Sequence, residues 1–129
     1  MLVVDATVAL AAAGAGNGLE YFDDELVAPP LMWSDSRSVL HEMAWRGEID
    51  PEDAIATRVR LERSRIRRRA PAKLGVEAWD LANELGWAKT YDAEYVALAG
   101  LLKCRLVTLD ARLRRGAARL GYVVGPDEL

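Results

Sequence analysis

Four aspartates, Asp5, Asp35, Asp92 and Asp110, stand far apart in this 129-residue chain, each where a strand or helix is expected to begin or end. Asp5 closes the apolar run Leu2-Val3-Val4, and Asp110 closes Leu106-Val107-Thr108-Leu109. Both should project from the carboxyl ends of short buried strands, the edge where open parallel sheets place ligand chemistry. Carboxylates gathered in one cleft repel one another and raise each other's pKa, so they stay ionised only where cations neutralise them. Oxygen donors suit hard ions, and the pattern points to magnesium or manganese. Such ions activate water and stabilise both attacking and leaving oxygens in phosphodiester cleavage. That chemistry requires no histidine or serine nucleophile. Any one aspartate at a strand end is ordinarily a turn former or helix cap; the set of four is what carries the inference.

The elements that must position these groups follow from apolar runs and turn residues. Strands are expected at 2–5, 26–28, 106–109 and 122–124, with a weaker one near 65–68. Thr7 to Ala13 reads as an alanine-rich helix ending at Gly14, and a short helix is expected at 18–23. Pro29-Pro30 opens a helix that runs to about Arg46, with Gly47 as its stop. Pro51 opens the next, with Asp50 as its expected N-cap. Further helices are expected from Pro71 to Gly86, from Thr90 to Leu102 and up to Gly121; the one beginning at Thr90 is apolar nearly all round and so should be buried. Strands alternating with helices give an α/β domain with a mostly parallel sheet. The length suits one domain spanning residues 1–129.

The longest apolar stretches, Val3 to Ala15 and Ala93 to Leu102, are shorter than the ~18 residues of a membrane span. The amino-terminal residues lack a basic leader, so a cytoplasmic protein without a membrane partner is expected. Cys104 is the only cysteine, which excludes an internal disulfide and suggests a small buried filler.

The net charge of −3 argues against a nucleic-acid partner until its distribution is considered. Residues 58 to 69 hold seven arginines, Arg58, Arg60, Arg63, Arg65, Arg67, Arg68 and Arg69, against the single acid Glu62. Arg112, Arg114, Arg115 and Arg119 form a second group. Two readings stand for the first group: solvated surface, or guanidinium contacts to RNA phosphates. Trp33, Trp45, Trp79 and Trp87 suit core or subunit contacts, although an exposed one could stack a base. His41 belongs on a surface or interface.

Taken together, the opening Val3-Val4-Asp5-Ala6-Thr7, the segment from Ala28 to Asp35, the stretch Thr90-Tyr91-Asp92-Ala93-Glu94-Tyr95-Val96-Ala97-Leu98-Ala99 and Leu106-Val107-Thr108-Leu109-Asp110 resemble the PIN-domain ribonucleases. The likeness is greatest to the VapC toxins of toxin–antitoxin pairs and covers essentially the whole chain. It implies a three-layer α/β/α sandwich around a mostly parallel central sheet and a magnesium- or manganese-dependent endoribonuclease. By the same resemblance Asp5, Asp92 and Asp110 fall on metal-binding aspartates. Asp35 stands where the family usually has glutamate, so its carboxylate is one methylene shorter. Thr7 and Thr108 match supporting hydroxyls. Glu42 competes with Asp35 for the fourth place but lies about two turns, ~10.5 Å, along the helix. Glu94, two residues after Asp92, either touches the metal cluster indirectly or pairs with an arginine. The resemblance further implies RNA as substrate, a homodimer, and a cognate VapB-type antitoxin that inserts a basic side chain into the cleft and supplies any DNA binding. The alternative from another class is a PIN-like RNA- or protein-binding module that has lost turnover.

Overall fold

A computed structural model describes all 129 residues. Five short strands form one all-parallel sheet: β1 (Leu2–Val4), β2 (Leu26–Ala28), β3 (Arg67–Arg68), β4 (Arg105–Val107) and β5 (Val123–Val124), in the spatial order β3-β2-β1-β4-β5. The helices are α1 (Ala6–Gly14), α2 (Leu31–Trp45), α3 (Pro51–Glu62), α4 (Leu74–Leu85), α5 (Tyr91–Leu102) and α6 (Ala111–Gly116). Together they make the expected α/β/α sandwich. Helices α1, α2 and α3 pack on one another, while α4 packs on α5 and α5 on β1 and β4.

The sheet is buried on both faces. Every residue of β1 and β2 is buried, as are Leu106 and Val107 of β4, and they join α5 in one apolar cluster. Continuous apolar runs rather than alternation are what a strand covered on both faces requires. Helix α5 follows the same rule: Ala93 and all of Tyr95 to Ala99 are buried, so its nearly uniform apolarity reflects a central position.

Strand order is what creates a site. The chain runs outward from β1 through β2 to β3, then returns to the opposite side of β1 as β4 and continues to β5. Connections therefore diverge between β1 and β4, the topological switch point at which parallel sheets open a crevice. Register pairs Val4 with Val107, so the next residues, Asp5 and Thr108, leave the sheet side by side.

Expected and observed boundaries differ mostly at the strand ends. Asp5 and Leu109 lie outside their strands, because the backbone turns there into α1 and α6. The expected helix at 18–23 is a single 3₁₀ turn over Gly18–Tyr21. Asp50 occupies the N-cap of α3, but its side chain makes no capping hydrogen bond; Pro51 at the first helical position sets that start. Gly86 and Gly121 close their helical segments in the left-handed region, at φ 73° and 82°. Cys104 is half-buried rather than fully buried, and no helix is long and apolar enough to cross a membrane.

Several arginines of the basic stretch brace the fold. The Arg65 guanidinium donates to the carbonyls of Asp24 (2.7 Å), Leu19 (3.0 Å) and Phe22 (2.5 Å), tying the segment before β2 to the approach to β3. Arg60 donates to the Ala13 carbonyl at 2.6 Å and to Thr57, fastening α3 to the end of α1. Arg67 meets only Glu25, at 3.4 Å, and Arg58 meets Glu62. Replacing Arg65 with Met should therefore lower the urea-unfolding free energy by about 1.5 kcal/mol, the lower end for charge-assisted bonds because the site is exposed. Arg67→Met, which removes one exposed ion pair, should cost about 0.5 kcal/mol or less in the same titration.

Candidate active site

Asp5 is the buried centre of the cluster, 4% exposed. It is the N-cap of α1, and its Oδ1 accepts the Val8 amide at 3.1 Å. Thr7 donates its hydroxyl to Oδ1 at 2.6 Å, and Thr108 donates to Oδ2 at 2.5 Å. Each threonine oxygen in turn accepts an amide from the turn after β4: Leu109 N–H to Thr7 Oγ1 and Asp110 N–H to Thr108 Oγ1, both 3.0 Å. A hydroxyl has one proton. Both protons are spent on Asp5, so the arrangement is complete only with a carboxylate that accepts from both sides. Burial pushes the Asp5 pKa up, these hydrogen bonds oppose it, and the charge of Asp92 adds to the rise; the net direction is upward.

Asp110 is the N-cap of α6, where its Oδ1 accepts the amides of Arg112 (2.9 Å) and Leu113 (3.2 Å), leaving Oδ2 free. Asp92 lies exposed in the first turn of α5. Its pKa is raised, first by partial burial and then by the charges of Asp110 and Asp35, with Arg112 pulling the other way. Asp35, half-buried on α2, accepts the Tyr95 hydroxyl on Oδ2 at 3.0 Å. The Tyr95 phenol is buried beside Asp35, Asp5 and Asp92, and its ionisation is pushed far above the usual range by burial and by their charges. Asp92 is thus within electrostatic reach of each of the other three predicted aspartates, Asp5, Asp35 and Asp110.

Residues 2–118 match the PIN domain family. A VapC ribonuclease of Mycobacterium bovis and Ribonuclease VapC9 of Mycobacterium tuberculosis are each 36% identical to the chain over 129 residues, 98% of this chain and 99% of theirs. The chain belongs to the PIN-domain family, in its VapC group. Among solved structures, the fold resembles a Pyrobaculum aerophilum protein with a TM-score of 0.76 at 21% identity, covering 98% of this chain and 84% of that one. It also resembles a chain of a toxin–antitoxin complex from Klebsiella pneumoniae (TM-score 0.65, 19% identity, 98% of each chain). A third is M. tuberculosis VapC20, described as a Sarcin-Ricin loop cleaving toxin (TM-score 0.66, 15% identity, 95% and 97% covered).

Other candidates separate from this PIN-domain cluster. Glu42 forms an exposed ion pair with Arg46 at 2.5 Å, one turn away on α2. Glu94 is half-buried, and its pKa is raised by burial; it forms no ion pair with an arginine, contrary to one of the two roles considered for it. Trp45 and Trp79 are 83% and 65% exposed rather than core residues. Tyr95 is the site residue to which the sequence reading gave no role. Its signal was a phenol three residues after Asp92 in an otherwise apolar helix.

The donor set fits a hard divalent ion: oxygens only, on carboxylates whose mutual repulsion such a charge would relieve. As the side chains stand, no three carboxylates converge on one point at metal-ligand distances; the crevice is open, which suits an ion that keeps several waters. A pH dependence follows from the raised pKa values of Asp5 and Asp92. Folded protein holds these protons at pH values where the unfolded chain has lost them, so their contribution to stability is full below about pH 4 and falls as pH rises through the raised values. In EDTA, thermal unfolding followed by circular dichroism should show the wild type losing stability over this range. Asp92→Asn should flatten part of that slope and melt higher than wild type at neutral pH.

Proposed function

We propose that this protein is a divalent-cation-dependent endoribonuclease, the toxin of a toxin–antitoxin pair. The observation that carries the reading is that Asp92 lies within electrostatic reach of Asp5, Asp35 and Asp110, which come from separate elements, in a chain 36% identical to VapC ribonucleases. Magnesium or manganese held by these aspartates would acidify an attacking water and neutralise charge gathering on the phosphate.

The protein's own groups divide the remaining work. Asp5, fixed by Thr7 and Thr108, is the most buried of the four carboxylates and would anchor the cation. Asp110 turns its free Oδ2 to the crevice while α6 holds its other oxygen. Tyr95 keeps Asp35 aimed from across the crevice. Arg112, whose amide anchors Asp110 and whose charge reaches Asp92, pairs with no carboxylate and stands ready for a phosphate oxygen. By contrast Arg114 and Arg119 of the same group are taken up by Glu128 and Glu84.

Purified protein incubated with total RNA and magnesium or manganese should yield discrete fragments, absent in EDTA and in the double variant Asp5→Asn, Asp92→Asn. Tyr95→Phe, which frees Asp35 without removing it, should slow cleavage roughly 10–100-fold, as loss of a partner that orients a metal-binding group does. Magnesium should raise the melting temperature of the wild type but not of the double variant. The second reading, a binding module without turnover, draws on the shorter carboxylate of Asp35 and the open arrangement of the cluster. It predicts RNA that stays intact under every metal, with Asp35→Glu restoring cleavage.

The antitoxin is expected to cover the apolar groove between α2 and α3. Leu40, Ala44, Trp45, Ala54 and Ile55 line it, with a volume of about 580 Å³. Arg37 adds positive charge, beside an Arg58 that is paired with Glu62, so the matching segment is apolar with an acidic flank. Trp45→Ala and Ile55→Ala should each weaken antitoxin binding in isothermal titration by at least ~1 kcal/mol, the size of a buried anchor, while leaving RNA cleavage by the free toxin unchanged.

A further inference from the structure

Once the bracing contacts of the arginine stretch are assigned, Arg68 stands out. Arg60 and Arg65 hold backbone carbonyls, and Arg58 and Arg67 hold carboxylates. The Arg68 side chain has no such partner; its guanidinium lies over the Trp33 ring, 5.4 Å from the centroid. Trp33 is half-buried and packs against the core, so the indole is fixed from beneath. Arg68 itself is exposed.

The pair stands at the edge where the proposed chemistry occurs. Arg68 ends β3, and the next amide, Arg69 N–H, bonds the Ala28 carbonyl at the end of β2. Trp33 lies in the first turn of α2, which begins three residues beyond β2. Because the sheet is all parallel, these ends share the edge from which Asp5 and Thr108 project. Strand β3 is two places from β1, or roughly 10 Å. Trp33 and Asp35 are two residues apart on α2 and so point about 200° apart. Asp35 turns toward Tyr95 and the carboxylates, while Trp33 turns toward β3. The pair therefore flanks the crevice at a distance that a nucleotide or two of extended strand would cover.

We propose that Trp33 and Arg68 form a subsite for an unpaired base of single-stranded RNA next to the scissile position. The inference rests on the nuclease reading. A guanidinium drawn over an indole by cation–π attraction is biased toward that position, and from there it can stack against a base while its N–H edge reaches the adjoining phosphate. Stacking of this kind accepts any base, and Arg can add a cation–π contribution to it. The exposed charge of an edge strand accounts for an arginine at β3. It does not account for one laid on a tryptophan with no carbonyl or carboxylate to hold it.

The test uses labelled single-stranded RNA of a sequence the wild type cleaves, made uncleavable at the scissile linkage, bound to intact protein in magnesium and followed by fluorescence anisotropy. Arg68→Ala should weaken binding roughly 5- to 150-fold, the range for loss of one stacked base. Arg68→Lys, which keeps the charge and loses the planar stack, should recover little. An abasic nucleotide at one position should weaken the wild type by a similar factor and leave Arg68→Ala unaffected. Trp33→Phe, with folding checked by circular dichroism, should fall between wild type and Arg68→Ala. Wild-type affinity in Arg68→Ala, full rescue by Lys, or equal sensitivity of both proteins to every abasic position would overturn the subsite while cleavage by the wild type left the nuclease reading standing. Failure of the wild type to bind or cleave any RNA would overturn that reading, and the subsite with it.

Discussion

The site depends on one arrangement: two threonine hydroxyls from different elements that meet on a single buried carboxylate. Thr7 comes from the start of α1 and Thr108 from just beyond β4, more than a hundred residues later, and both give their protons to Asp5. Each also receives an amide from the turn that leads to Asp110. A single small network thus joins the ends of two adjacent parallel strands, caps α1 and sets the turn carrying the next carboxylate. Its cohesion comes from charge. A neutral Asp5 would need a threonine to rotate its proton away, and a second polar atom would lose its partner inside a buried site. The chain has no buried side-chain polar atom without a partner. Above its raised pKa Asp5 is an anion at the switch point, and the hydrogen bonds that converge there offset part of its desolvation.

The rest of the charge distribution responds to that anion. Net charge is −3, yet much of the arginine complement does internal work, clamping carbonyls or neutralising exposed acids one element away. What remains for an outside ligand is narrow: Arg112 at the carboxylate rim, Arg68 on its indole, and a few exposed side chains between. Coulombic attraction of RNA by a protein with an acidic centre would otherwise be weak. Cations bound at the aspartates would reverse the local sign, so substrate affinity and metal loading should be linked rather than independent. Composition alone concealed this, because a tally of arginines does not distinguish a brace from a free guanidinium.

Much of the fold could be read from the chain because its local signals agree. Continuous apolar runs gave the inner strands, Pro and Gly marked the helix limits, and the unbroken apolarity of α5 indicated its central place. The nearness of Asp92 to Asp5, Asp35 and Asp110 was legible too, since three of the four end or begin an element at the same edge of a parallel sheet and Asp35 lies in the second turn of α2. Three things were not. Strand ends were overrun at Asp5 and Leu109, where side-chain hydrogen bonds rather than apolarity decide where the sheet stops. Trp45 and Trp79 were expected inside or at a subunit contact, and helical spacing cannot distinguish an unpartnered apolar face from a buried one. Glu94 was drawn toward the cluster by sequence proximity, but two residues on a helix turn a side chain about 200° away, and it faces partly buried apolar surroundings instead.

On the proposed reading, the same geometry accounts for an aspartate at position 35. A shorter side chain reaches less far, so its carboxylate must be brought forward by the helix or held by something that reaches out to it. Met32, Ser36 and Leu40 bury one face of α2 and fix how closely that helix lies over the crevice. Tyr95 supplies the reach, from α5, three residues after Asp92 and hence on the same helical face. The phenol has a single proton, and burial with three neighbouring carboxylates pushes its ionisation up, which favours its role as donor to Asp35. It shares Asp35's charge without neutralising it and holds the carboxylate at a fixed distance from Asp92, which it would otherwise be pushed from. A glutamate here could reach the cleft on its own. An aspartate does so as part of a pair, and the aim of the fourth carboxylate therefore depends on a tyrosine from the opposite layer of the fold.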